Sequence, residues 1–140
     1  MNAGGATPIW RGSTNLTWKR GDWGAGLGWY YTGSFTDVNI TTTKATWDSL
    51  GNPGYIRPVL NNGSLSYRFI VKASSSYNLF VTHRLKLPGN WLHHTNVRLG
   101  VNNLFNTEPP LSGDSRGYEP SVYNVMARGR TYALQLTRKF

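Results

Sequence analysis

Cysteine is absent from the 140 residues, so neither a disulfide framework nor a thiolate metal site is open to this chain. Zero cysteine fits a protein facing an oxidising compartment where stray disulfides are a hazard, although reduced compartments hold such chains too. No run of about 18 apolar residues occurs, which excludes a transmembrane helix. It leaves a membrane open, because a spanning β-strand needs only about 9 to 11 alternating residues and gives a weak hydropathy signal. Sustained helical periodicity is missing as well. Acids are scarce, six against fifteen Lys and Arg, for a formal charge of +9.

That charge raises the question of nucleic acid. Basic nucleic-acid binders gather Lys and Arg on one patch or helix, whereas here the basic residues are scattered along the chain. Net charge alone speaks to non-specific association rather than to function, so no nucleic-acid partner is expected. What the sequence does have is 16 Gly, 14% aromatic residues and many Thr, Ser and Asn. Aromatic and β-branched residues suit strands, while Gly, Asn and Pro suit turns. The expectation is an all-β chain with the length of one small domain.

Period-2 alternation marks five strands. Residues 14–20 alternate weakly around Leu16 and Trp18 and end in the turn Arg20-Gly21-Asp22. Residues 23–35 set Trp23, Ala25, Leu27, Trp29, Tyr31 and Phe35 against Gly24, Gly26 and Gly28. Bare glycine on one face weakens a strand unless something approaches its backbone closely. Residues 36–71 are rich in Thr, Asn and Gly, interrupted by Pro53 and Pro58, and read as a long loop with room for short strand extensions. Alternation resumes over 72–87, where Phe80 breaks the polar face, and after the turn Pro88-Gly89-Asn90 over 91–104. A second long loop, 105–128, precedes the last strand, in which Tyr132, Leu134, Leu136 and Phe140 share one parity.

The connections therefore run short, long, short, long, the asymmetry of outer-membrane barrels with tight periplasmic turns and longer external loops. On that topology Trp18, Trp23, Trp91 and Phe140 form a lower aromatic girdle, and Tyr31, Phe35, Tyr77, Phe105 and Tyr132 an upper one.

Residues 97–140 carry more specific elements. A strand ends in Asn103-Leu104-Phe105-Asn106 with Pro109-Pro110 nearby, a loop contains Gly117-Tyr118, and Gly129-Arg130-Thr131-Tyr132 opens a last strand ending in Phe140. This order resembles the C-terminal end of TonB-dependent outer-membrane receptors. The resemblance covers about a third of the chain. It implies an antiparallel meander of about five strands forming the C-terminal segment of a large plugged barrel, of the 22-stranded type. Residues 1–140 would then be a fragment without plug or signal peptide. Met1-Asn2-Ala3 lacks the basic start and apolar core of a secretory signal, so Met1 is read as an internal or artificial start.

The implied function is energised uptake of a scarce nutrient, such as a ferric siderophore, cobalamin, haem or a glycan, in the cell outer membrane. The implied partners are outer-membrane lipid, the plug domain of the same full-length chain, the TonB system and the barrel-assembly machinery. The machinery would read Tyr132, Leu134, Leu136 and Phe140 by strand addition. Asn103, Leu104, Phe105 and Asn106 end a strand and set the loop, and Gly129 with Arg130 braces its base. Inward Arg84, Lys86, Arg98 and Lys139 face acidic plug residues or an anionic cargo, while the inward glycines make room for the plug. Trp47, Tyr55, Tyr118 and Tyr123 offer stacking surfaces in the loops.

Catalytic and metal chemistry find little footing, and no cofactor is expected. His93 and His94 are adjacent, so on a strand they point to opposite faces and do not chelate one ion together. No Gly-x-Ser-x-Gly elbow occurs, and Gly24-Ala25-Gly26-Leu27-Gly28 opens no helix, which removes it from the dinucleotide-binding pattern. Asp37, Asp48, Glu108 and Glu119 read as solvated loop acids. Two rival readings remain, a secreted β-sandwich that holds carbohydrate with Trp and Tyr, and a different outer-membrane barrel such as a porin. The bare glycine face of 23–35 contradicts the first, and the Asn-Leu-Phe-Asn and Gly-Arg-x-Tyr elements argue against the second.

Overall fold

A computed structural model of the chain describes residues 7–61, 63–86, 89 and 94–138. Among these residues eight strands and two short α-helices follow one another, with a 3-10 turn at Met126–Arg128 before the last strand: β1 (Arg11–Arg20), β2 (Trp23–Thr32), β3 (Phe35–Thr42), α1 (Lys44–Ser49), β4 (Ile56–Asn61), β5 (Ser64–Val71), β6 (Ser74–Arg84), β7 (Thr95–Asn102), α2 (Pro120–Tyr123) and β8 (Thr131–Arg138). The chain is predominantly β, in antiparallel sheets. One sheet has five strands in the order β1-β2-β6-β7-β8, the other three in the order β3-β5-β4. The chain divides into two units, one built from residues 13–30, 75–107 and 128–140, the other from 1–12, 31–74 and 108–127.

The five-stranded sheet contains the five strands expected from alternation, each beside its predecessor among those five. Gly21, at φ +58°, sits in the turn between β1 and β2, where a side chain would be strained. Across β6, β7 and β8 the register is regular: Leu79, Val101 and Tyr132 form one row, Val81, Leu99 and Leu134 the next, and His83, Val97 and Leu136 a third. Between them run the opposite-facing rows Phe80, Gly100 and Ala133, and Thr82, Arg98 and Gln135. Period-2 geometry thus sorts the Leu and Val side chains to one face and nearly every polar side chain to the other, with Phe80 and Ala133 the apolar exceptions.

The glycines of β2 correct one expectation. A Cβ at Gly26 would run into the Phe80 ring, and one at Gly24 would lie 2.6 Å from Thr82 Oγ1. The room they leave is occupied by side chains of the neighbouring strand rather than held open for a separate domain. The same contact explains why Phe80 interrupts the polar face of β6, and Arg98 lies over its ring at 3.8 Å.

The connection at 36–71 is also corrected, from a loop to most of a sheet. Phe35 does not end β2 but begins β3, pairing with Val71 of β5. Pro58 lies inside β4, paired with Tyr67, and is tolerated because β4 is an edge strand. Phe35, Val71 and Tyr123 form a buried cluster with Tyr118, Val122 and Met126 packed against it. Phe35 is therefore a core residue of this unit and leaves the expected upper girdle. Helix α1 starts at Thr43, whose hydroxyl accepts the Thr46 N–H at 3.1 Å, and carries a Lys44–Asp48 ion pair one turn apart.

Candidate functional site

Two features of the five-stranded sheet bear on function: its apolar face and the knot where β7 gives way to β8. On that face Leu16 of β1 is 70% exposed, Leu99 of β7 59% and Leu134 of β8 65%. Trp18, Trp23, Leu27, Trp29, Val81, Tyr132 and Leu136 are exposed with them. Single exposed leucines are ordinary on a protein surface, but a face this continuous marks contact with an apolar medium or partner. Trp18 and Trp23 flank the Gly21 turn, and Trp23 stacks on His83 with ring centroids 4.1 Å apart. Tyr77 meets Phe105 edge-on at 5.3 Å. Trp91, Lys139 and Phe140, expected at the turn end, lie outside the described residues, as does His93.

The Asn-Leu-Phe-Asn element forms the knot. Asn103 is 4% exposed and takes φ +52°, a left-handed conformation that Asn adopts more readily than most residues. Its N–H donates to Asn78 Oδ1 at 3.0 Å, its Nδ2 donates to the Thr107 carbonyl at 2.9 Å, and its Oδ1 accepts the Thr107 N–H at 2.8 Å. Leu104 N–H donates to the Tyr77 carbonyl at 2.7 Å, and Phe105 extends away, 65% exposed. Asn106, also left-handed at φ +53°, accepts the Arg130 N–H on its Oδ1 at 2.9 Å. Gly129, at φ +71°, leaves room for that oxygen, which would lie 3.2 Å from any Cβ there. Asn103, Leu104 and Asn106 thus each bind backbone, and the loop leaves and re-enters the sheet at one fixed point.

The inward cations are partly committed. Lys86 pairs with Asp22 at 2.7 Å, and this hydrogen bond holds the Asp22 carboxyl below its ordinary range. Arg98 is engaged with Phe80. Arg84 lines a hollow of about 800 Å³ together with Lys19, Asp22, Thr82, His94 and Asn96, at the end of the sheet that carries the Gly21 turn.

The four aromatic residues expected to stack on a ligand separate into two kinds. Trp47 is half-buried against Tyr67, centroids 5.1 Å apart, and Tyr55 is exposed beside Phe69 at 5.9 Å. Tyr118 and Tyr123 belong to the loop core; Tyr123 is 2% exposed and presents no surface, and burial holds its phenol above its ordinary range. Two loop acids are likewise structural rather than solvated. Asp37 is buried and accepts the Gly113 N–H, and Glu119 caps α2 by accepting the Ser121 N–H at 3.3 Å. Among the described residues no group of three metal-ligating side chains comes together. No protein-family model, curated protein or solved structure matches the chain.

Proposed function

We propose that this chain is the C-terminal barrel segment of a TonB-dependent outer-membrane receptor, and that in the complete receptor it serves energised uptake of a scarce nutrient. The observation that carries the reading is the exposed apolar face of the five-stranded sheet, opposed by a face of Asn, Arg, Thr and Gln. Apolar-out, polar-in alternation with aromatic residues near the strand ends is the pattern of a strand between lipid and lumen. Among the described residues β1 and β8 are the edges of the sheet, an arrangement that continuing into a larger barrel removes. The loop knot at Asn103 and Asn106, where the resemblance is most specific, supports the reading by tying the penultimate strand to the last.

In this reading Tyr132, Leu134 and Leu136 face lipid and also present the last strand to the assembly machinery. Arg84 and Lys19, in the hollow at the turn end, meet acidic groups of the plug. The test is fractionation of the native host with an antibody to residues 105–120, reading compartment and mass together. A heat-modifiable outer-membrane band several times heavier than 15.7 kDa is expected. A water-soluble band at that mass would overturn the proposal in favour of a secreted module.

A further inference from the structure

The three-stranded sheet carries an arrangement of its own. Thr41 of β3, Arg68 of β5 and Arg57 of β4 are consecutive register partners, so the three side chains stand in one row on one face. Directly opposite residues of an antiparallel pair have Cβ atoms about 4.5–5.5 Å apart, and like charges so placed repel. Among the described residues neither guanidinium forms an ion pair. Three acids of the same unit have other partners: Asp48 pairs with Lys44, Asp37 accepts the Gly113 N–H, and Asp114 accepts the Arg116 N–H at 2.9 Å. The aromatic residues give no relief, because Tyr67 and Phe69 alternate to the opposite face.

Arg68 is half-buried, and its Nε is cut off from water without a hydrogen-bond partner. A buried donor left unpaired is unfavourable, and a bound ion is among the partners that satisfy such a group. Arg57 is exposed, so the row opens to solvent on the β4 side. We infer that the Thr41, Arg68 and Arg57 row binds a small carboxylate or phosphate, its oxygens shared between the two guanidinium groups and the threonine hydroxyl. Planar guanidinium forks match such paired oxygens bidentately, and the anion removes both the repulsion and the orphaned donor. The site rests on the β3-β5-β4 sheet alone and holds whether or not the five-stranded sheet faces lipid.

The experiment titrates the full chain with citrate and, separately, with inorganic phosphate, following arginine Nε–H resonances by NMR and affinity by calorimetry. The expected result is a saturable shift at Arg68, with the tighter of the two anions identifying the oxygen donor class. Arg57→Gln and Arg68→Gln each weaken binding about tenfold or more, since each removes a charge-assisted bidentate contact. Arg57 is exposed, so its variant folds even where Arg68→Gln does not. Absence of saturation with either anion up to about 10 mM, a concentration that detects even weak millimolar affinity, would overturn the inference. Equal weakening by Arg116→Gln, an exposed arginine of the same unit, would do so too.

Discussion

Asn103 concentrates three roles in one side chain: a left-handed backbone, a pair of bonds to Thr107, and an N–H anchored on Asn78. At about 1 kcal/mol for each net hydrogen bond, Asn103→Gly keeps the backbone conformation and costs about 2 kcal/mol. Asn103→Ala loses the bonds and strains the backbone, adding about 1 kcal/mol more; urea unfolding in detergent micelles measures both, and equal losses would contradict the backbone role. Gly26 yields to a similar argument, because the Phe80 ring fills the place of its Cβ. Gly26→Ala should destabilise by about 1–3 kcal/mol, and Phe80→Ala in the same chain should recover part of the loss, a coupling read by a double-mutant cycle. At the turn, the Asp22 carboxyl is depressed in the folded state by its bond to Lys86. Its contribution is therefore present above the ordinary value of 3.8 and fades as pH falls below it through the folded value. Comparing acid unfolding of the parent with Lys86→Gln checks this, since the variant should lack that part of the pH dependence.

At the scale of elements, a charge placed on the apolar parity of β8 separates a lipid-facing strand from a water-facing one. Leu134→Arg in a lipid-embedded barrel costs about 2–4 kcal/mol near the bilayer midplane, whereas on a water-facing strand it is nearly neutral. Gln135→Arg, one residue along and on the opposite face, should change little, and folding equilibria in lipid vesicles compare the two. The same parity made β1, β2, β6, β7 and β8 legible in the sequence. Strands β3, β4 and β5 were not, because Thr, Asn and Gly dilute their alternation and Pro58 reads as a breaker until β4 is known to be an edge. Phe35 shares the parity of Tyr31, so only the break at Gly33 and Ser34 assigns it to a new strand. The polar knot was legible as a strand end but not as a hydrogen-bonded unit, since Asn78 and Arg130 reach it from 25 and 24 residues away. Burial of Asp37, Glu119 and Tyr123 was hidden for the same reason: long-range packing within the loop unit decides it, and no local pattern announces it.

For the molecule as a whole, the proposed function places the apolar face of the five-stranded sheet against lipid in an outer-membrane receptor. The chain contains no cysteine, so single cysteines placed along it carry a fluorophore without background labelling from its own residues. The decisive measurement places a fluorophore at 99, 134 and 136, and at 98, 133 and 135, in the receptor reconstituted into vesicles with brominated lipid. The account predicts strong quenching at the first three positions and little at the second three. Equal, weak quenching at both sets would contradict it and leave the sheet facing water or another protein.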